Sequence, residues 1–269
     1  KIIDIDVISL LDSSNIYSDV DFDAFFMNTM SGLVGVDVNK PDTILQNVMF
    51  YHTPNFDSKY YYVSNDIDST TDNVNVPLVY IYNTHDTEEY ADDYGVFDAS
   101  FYLRDRLGDL GISSIVEENR TSGIRNSNGW NYSLSYRASR INLERVKSEV
   151  PSIRLFIDLH RDSVGRSYTS VNINDKSYAK VLFVVGCDHD NYLDNLFFTQ
   201  SIDDVISRDY PSLTKGILEK SGYGVNGIYN QDVDSSVILM EVGGNENTSV
   251  EVKNTLDVIA NVIKEKLYE

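Results

Sequence analysis

The chain has 269 residues, of which 22 are basic and 42 are acidic, so its formal net charge is −20. This surplus of carboxylates argues against a nucleic-acid groove, which needs a basic face, and against electrostatic docking on anionic lipid. A hydrophobic fraction of 42% is enough for a substantial core, and no apolar run approaches the ~18 residues of a membrane span.

The first part of the chain lacks a regular pattern. A short amphipathic helix is predicted over residues 21–30, and a polar stretch that ends in proline at residues 68–77 is the best boundary. We therefore divide the chain into an irregular, partly helical flanking segment, residues 1–75, and a domain over residues 76–269. Because the sequence begins at Lys1 rather than Met, we also expect a segment upstream of it.

The rest of the chain alternates apolar strands with amphipathic helices. The predicted strands, in chain order, are VPLVYIYN, ISSIVEEN, IRLFIDLH, AKVLFVVG and VILMEVGG. The predicted helices lie within residues 98–111, 133–151, 191–209 and 249–267, and the second stops before Pro151. Asp98 is the expected N-cap of the first helix, and Gly111 lies just past its end. This pattern is typical of an α/β fold with a mostly parallel sheet covered by helices on both faces.

Three of the predicted strands end in ionisable side chains. His85 follows the first strand, His160 ends IRLFIDLH, and Glu241 follows VILM. A core strand seldom ends in this way without a partner for the polar group, because desolvating a charge is costly. Ligands of open α/β sheets bind outside the carboxyl ends of the strands. We therefore expect the three side chains to converge on one site.

A metal ion is the expected partner of these side chains. Two histidines and one carboxylate, with one position left open, form a common catalytic zinc set. His85 and Glu88 make an H-x-x-E pair, His160 would be the third ligand, and Glu241 would act as the general base on the attacking water. Other carboxylates near His85 are possible replacements for Glu88: Asp86, Glu89 and Asp92.

Three further residues are candidates for other roles. Arg161 and His189 each have a functional and a structural interpretation, and His52 has only a structural one. Arg161, next to His160, either grips a substrate carboxylate or pairs with Asp162 on the surface. His189 lies either at the rim of the site or in a solvated loop, and His52 is expected to be structural.

Six segments together resemble the stage II sporulation protein P family. They are VYIYNTHDTEEY, SLSYRASR, FIDLHRDS, VLFVVG, YNQD and VILMEVGGNENT, and they follow the family's order through about residues 76–269. The segment DAFFMNTMSGLVGVDVNKP is similar to the family's N-terminal flank more loosely. The resemblance implies an amidase-type zinc hydrolase fold that cleaves the bond between N-acetylmuramic acid and L-alanine of peptidoglycan during forespore engulfment. It also implies an additional endopeptidase activity on peptide cross-links.

The resemblance carries expectations about residues, partners and location as well. It puts His85, Glu88 and His160 at the zinc ion and Glu241 at the base, whereas Asn83 stands where members often have a second histidine. It implies an N-terminal membrane anchor, an extracytoplasmic position on the mother-cell side facing the intermembrane space, and cooperation with stage II sporulation protein D and other engulfment proteins.

Two other functions suit the same residues. A zinc carboxypeptidase acting on cell-wall peptides also uses an H-x-x-E pair, a distant histidine and a later glutamate. A non-catalytic cell-wall-binding scaffold would instead bind peptidoglycan without cutting it. The reaction products separate these alternatives, since an amidase releases intact stem peptides and a carboxypeptidase releases single amino acids.

Overall fold

The structure is a computed structural model that describes residues 76–268. The helix predicted over residues 21–30, the interpretation of His52 and the flanking segment up to residue 75 lie outside the described residues. In the part that is described, none of the helices combines the length and the apolar character that a bilayer crossing requires.

Six strands form the main sheet, and two more form a separate hairpin. The strands are β1 Val79–Tyr82, β2 Ser114–Val116, β3 Leu155–Asp162, β4 Ser170–Ile173, β5 Lys176–Ala179, β6 Val181–Gly186, β7 Thr214–Lys220 and β8 Val237–Gly244. The main sheet has the order β2-β1-β3-β8-β6-β7, and β4 pairs with β5. Every neighbouring pair in the main sheet is parallel except β8 and β6, which are antiparallel.

Helices cover both faces of this sheet, which confirms the predicted mixed α/β architecture. They are α1 Val96–Asp109, α2 Thr121–Ser127, α3 Ser135–Glu149, α4 Arg166–Thr169, α5 Tyr192–Asp209 and α6 Ser249–Tyr268. The larger core lies between the sheet and the buried sides of α1, α5 and α6. A smaller core, in which Leu143 and Val146 of α3 meet Tyr80, Tyr82 and Phe156, covers the other face.

The register of the strands decides which side chains share the α3 face. Tyr82 of β1 pairs with Asp158 of β3, and His160 of β3 pairs with Glu241 of β8. Side chains two residues apart on a strand point to the same face, and directly paired residues point the same way. Asp158, His160 and Glu241 therefore project from the same face as Tyr82, beside α3.

Two details of the sequence prediction were wrong. Gly95, not Asp98, occupies the N-cap of α1, and Asp98 accepts the Gly95 N–H at 2.9 Å from the third helical position, as in a capping box. The segment AKVLFVVG is not one strand, because Lys180 separates hairpin strand β5 from β6. The Lys180 N–H donates to the Thr169 carbonyl, and the Lys180 carbonyl accepts the N–H of Gly243.

Candidate active site

The loop after β1 is folded around buried polar contacts that fix His85 and Glu88. The Asp86 carboxylate is 3% exposed, and it accepts hydrogen bonds from Arg120 Nε at 2.9 Å and from the Ser122 N–H at 2.9 Å. The Glu88 N–H donates to the His85 carbonyl at 3.1 Å, which closes a tight turn. The turn therefore presents the side chains of His85 and Glu88 together.

Glu88 links the two histidines. Its Oε1 lies 3.3 Å from His85 Nδ1, and its Oε2 lies 3.6 Å from His160 Nδ1. One donor atom from each of these three residues lies within 4.8 Å of the other two. Burial would raise the pKa of Glu88, but hydrogen bonds with His160 and His85 outweigh it and hold the pKa well below its usual range.

The three side chains fit a zinc ion. Two imidazoles and one carboxylate are the ligand types of catalytic zinc sites. His160 is 2% exposed, whereas His85 and Glu88 are 21% and 16% exposed, so the donor cluster is open to solvent on one side. An open side is what a catalytic site needs, because substrate must reach the metal.

The other carboxylates near His85 have different contacts. Asp86 is bound to Arg120 and Ser122, as described above. Asp92 accepts the Ser249 N–H at 2.9 Å and the Ser249 hydroxyl at 2.7 Å at the start of α6. The donor cluster contains Glu88 and neither Glu89 nor these two aspartates.

Asp158 is a site residue that the sequence reasoning missed. It is fully buried, and its Oδ1 lies 2.9 Å from His160 Nε2 at ion-pair distance, without hydrogen-bond geometry. The N–H and hydroxyl of Thr84 donate to its two oxygens at 2.8 and 2.6 Å. A carboxylate behind a histidine typically orients the ring toward a metal. The D-x-H spacing in FIDLH was the available signal, since it places both side chains on one face of a strand.

Glu241 lies beside His160 and has a free acceptor. Its Oε2 is buried and has no hydrogen-bond partner within the described residues. Burial raises the pKa of Glu241 to about 7, the charges of Glu88 and Asp158 add to the rise, and His160 opposes it. A carboxyl group with a pKa near neutrality is suited to exchange protons with a reacting group.

Two tyrosines surround the histidines. The Tyr132 ring, which is 53% exposed, stacks on His85 with centroids 4.8 Å apart. The Tyr136 ring lies over His160 with centroids 6.5 Å apart and meets His85 edge-on at 5.7 Å. These rings form an aromatic wall beside the donor cluster.

Arg161 does not pair with the Asp162 carboxylate, which binds Lys215 Nζ at 3.0 Å. Its Nε donates to the Glu89 carbonyl at 3.0 Å, and its backbone N–H donates to Glu88 Oε2 at 3.1 Å. The residue therefore braces the loop that carries Glu88.

The structure does not bring His189 into the donor cluster. The residue follows β6, which is antiparallel to β8. It therefore lies at the end of the sheet where β3 and β8 begin, opposite to the end that carries His160 and Glu241. It is half-buried.

Comparison with known proteins identifies the family. Residues 39–264 match the family model described as stage II sporulation protein P (SpoIIP). The chain belongs to the stage II sporulation protein P family. The stage II sporulation protein P of Bacillus subtilis (strain 168) is 31% identical over 206 residues, which are 71% of this chain and 51% of that protein. The chain thus spans about half the length of this relative.

Solved structures of amidases also resemble this member of the stage II sporulation protein P family. One is the CwlD amidase from Clostridioides difficile in complex with the GerS lipoprotein. It superposes with a TM-score of 0.48 and 12% identity, and the match covers 71% of this chain and 98% of that chain. Another is N-acetylmuramoyl-L-alanine amidase AmiC2 of Nostoc punctiforme, with a TM-score of 0.41, 13% identity and coverage of 72% and 98%. At such values, neither likeness bears on what this chain binds or cleaves.

Asn83, the position at which the family resemblance implies a second histidine, has a packing role here. It is 6% exposed, its Nδ2 donates to the Leu159 carbonyl at 2.7 Å, and its Oδ1 accepts the Ser100 hydroxyl at 3.1 Å. In this member of the stage II sporulation protein P family, the side chain at position 83 therefore joins β1 to β3 and α1.

Proposed function

We propose that residues 76–269 form a zinc hydrolase domain that cleaves the amide bond between N-acetylmuramic acid and L-alanine of the stem peptide, with residues 1–75 as its flanking segment. Membership of a sporulation family supports a role in forespore engulfment. The chemistry rests on one observation, the cluster of His85, Glu88 and His160 beside a buried carboxyl oxygen that has no partner.

His85, Glu88 and His160 would hold the zinc ion. When bound there, zinc supplies a Lewis acid that polarises the attacked carbonyl and makes water a stronger acid. Asp158 fixes the orientation of the His160 ring from behind.

Glu241 moves the proton in this proposal. Its Oε2 accepts a proton from the attacking water, and the resulting carboxylic acid then delivers that proton to the leaving amine. Because no donor from residues 76–268 occupies Oε2, the carboxyl group is free for both steps. Its pKa of about 7 allows both protonation states near neutral pH.

Arg161 is proposed to orient substrate. Its guanidinium donates to the carbonyls of Glu89 and Asp162 and keeps its positive charge beside the donor cluster. It would thus fix the Glu88 loop and attract a substrate carboxylate.

The wider setting is proposed from the family. We infer that the domain acts outside the cytoplasm, on the mother-cell side, behind an N-terminal membrane anchor, and that it works with stage II sporulation protein D and other engulfment proteins. A second activity on peptide cross-links is part of the same proposal. Its substrate in both cases is peptidoglycan.

The products of a soluble muropeptide test this function. An amidase converts N-acetylmuramoyl-tetrapeptide into N-acetylmuramic acid and the intact tetrapeptide, which mass spectrometry identifies. Release of D-alanine alone would instead favour a carboxypeptidase. Binding to purified sacculi without any cleavage of the muropeptide would favour a scaffold.

A further inference from the structure

In the part of the chain that the structure describes, most arginines pair with a carboxylate, and four do not. Because acidic residues outnumber basic ones by 42 to 22, most cations are expected to be paired. Among residues 76–268, seven of the eleven arginines form ion pairs with carboxylates. The other four are Arg125, Arg137, Arg154 and Arg161. Of these, Arg125 and Arg161 flank the aromatic wall and the donor cluster.

The helix that carries Arg125 is fixed to the loop of His85. The Thr121 hydroxyl at the start of α2 donates to the Asn83 carbonyl at 2.8 Å. The Ser122 hydroxyl, one residue later, donates to Asp86 Oδ2 at 2.6 Å. These two bonds lie on either side of His85 in the loop, so Arg125 in the last turn of α2 has a defined position relative to the candidate metal ligands.

The guanidinium of Arg125 lies at the aromatic wall with an unused donor. Its Cζ lies 5.2 Å from the centroid of the Tyr132 ring, and that ring stacks on His85. Its Nε is buried and has no hydrogen-bond partner among residues 76–268.

An unpaired buried donor on a charged group is costly unless a ligand completes it. Arginine presents its N–H groups as a planar fork that matches the two oxygens of a carboxylate. Arg161 has already committed its Nε to the Glu89 carbonyl. Arg137 also lies over an aromatic ring, but that ring is Trp130, whereas the ring beside Arg125 is Tyr132, which stacks on His85. Arg125 is therefore the better placed of the three for two-point binding of an anion.

We propose that Arg125 binds a carboxylate of the peptide part of the substrate and thereby determines specificity for acidic stem peptides. This role rests on the proposed amidase function. A single ring, Tyr132, separates the guanidinium from the candidate ligand His85. One extended residue spans at most about 3.6 Å, so a carboxylate one to three residues beyond the reacting amide can reach across that ring.

Binding to the metal-depleted chain tests this role without any turnover. The probes are N-acetylmuramoyl-tripeptide with free carboxylates and the same compound with its carboxylates amidated, each titrated by calorimetry. We expect wild type to prefer the free acid by about 10–100-fold, the usual range for hydrogen bonds to charged groups. Arg125→Gln should remove most of this preference.

A matched control separates local recognition from net charge. Arg154 is exposed, also has no carboxylate partner, and immediately precedes β3, whose other end carries His160. Arg154→Gln removes the same charge at the far end of the strand and should keep the full preference. Arg125→Lys keeps the charge but loses the planar fork, so this variant should show an intermediate preference for the free acid. If the Arg125→Gln chain does not fold, the Lys variant is tested in its place.

The outcomes are decisive for Arg125. A wild type that binds acid and amide equally, or an Arg125→Gln or Arg125→Lys chain that keeps the full preference, would overturn the proposal. A wild type that discriminates but never cleaves peptidoglycan would instead refute the amidase function and leave the carboxylate site standing.

Discussion

His160 and Glu241 are direct neighbours on β3 and β8, but their surroundings differ. The imidazole has the buried Asp158 carboxylate at 2.9 Å and faces Glu88 with its other nitrogen. The Glu241 carboxyl has a buried oxygen without a partner and a pKa raised by burial to about 7. These surroundings suit His160 to metal binding and Glu241 to proton transfer.

Glu241→Gln separates these two roles. We expect the variant to bind zinc with the wild-type stoichiometry and to keep the wild-type melting temperature, while turnover falls by ~10²–10⁴-fold. The amide has a similar shape and can still form hydrogen bonds, but it cannot take up the proton. Zinc content, melting temperature and amidase rate are measured on the same preparation.

His85→Ala is the matched comparison for this variant. It removes one of three proposed protein ligands, so zinc affinity itself should fall. A folded, zinc-loaded Glu241→Gln chain with wild-type turnover would remove Glu241 from the mechanism.

Asp158→Asn tests the contact behind His160. The amide oxygen can still accept one of the two Thr84 hydrogen bonds, but the side chain no longer attracts the His160 ring by charge, so zinc affinity should fall by about 10–100-fold. Competition with a chromophoric chelator measures the affinity. Ser100→Ala, which removes a buried hydroxyl on the side of Asn83 away from the site, is the control. Equal zinc affinity in wild type and Asp158→Asn would argue against the orienting role.

The sequence allowed only part of this site to be predicted. His85, His160 and Glu241 were recognisable because each interrupts an apolar strand, and ionisable residues are rare there. Asp158 lies inside a strand that was interpreted as core, and its only signal was the D-x-H spacing, which puts Asp158 and His160 on one face of that strand. The unpaired Nε of Arg125 depends on the packing of α2 against the loop, which no local pattern contains.

At the scale of elements, the strongest periodic patterns were predicted well. The bounds of β8 are those of the segment VILMEVGG, and α5 and α6 begin and end within one residue of the predicted positions. Helix α2 was missed because its seven residues give no clear helical period, and β7 was missed because its two apolar residues, Ile217 and Leu218, are adjacent rather than alternating. The reversed direction of β6 was not predictable either, since an apolar strand looks the same in both directions. That reversal moved His189 away from the site.

Glu251, in the first turn of α6, joins this helix to the hairpin and to α4. Its carboxylate accepts two hydrogen bonds from Arg166, at 2.6 and 2.5 Å, and one from the Ser177 hydroxyl at 2.6 Å. The Thr248 N–H donates to it at 2.9 Å. A buried carboxylate with this many donors holds three elements together.

This network predicts a defined loss of stability in acid. Burial would raise the pKa of Glu251, but hydrogen bonds from Arg166 and Ser177 outweigh it and lower the pKa from its usual 4.5 to about 2. The unfolded chain therefore binds the proton first as pH falls. The stabilisation is complete above about pH 4.5 and is lost as pH falls toward 2. Urea unfolding as a function of pH measures it.

Glu251→Gln should flatten the stability curve in this window. At pH 7 the variant should unfold with a free energy lower by ~1–3 kcal/mol, because it loses charge-assisted hydrogen bonds. The surface variant Glu144→Gln, in which an exposed ion pair with Arg140 is lost, is the control and should change little. Parallel curves for wild type and Glu251→Gln between pH 4.5 and 2 would contradict the account.

At the scale of the whole molecule, the overall negative charge contrasts with two arginines beside the donor cluster. The net charge is −20, yet the side chains flanking the donor cluster include Arg125 and Arg161, neither of which pairs with a carboxylate within residues 76–268. Such local positive charge in an acidic protein is expected to attract anionic peptide while the remaining surface repels it.

The most direct measurement is the release of stem peptides from purified sacculi, followed by mass spectrometry, with the metal removed and then restored. If the domain is a zinc amidase, chelation stops release, one equivalent of Zn²⁺ per chain restores it, and the soluble products are intact stem peptides. Release at the full rate from the zinc-free chain, or products consisting of single amino acids, would contradict this function.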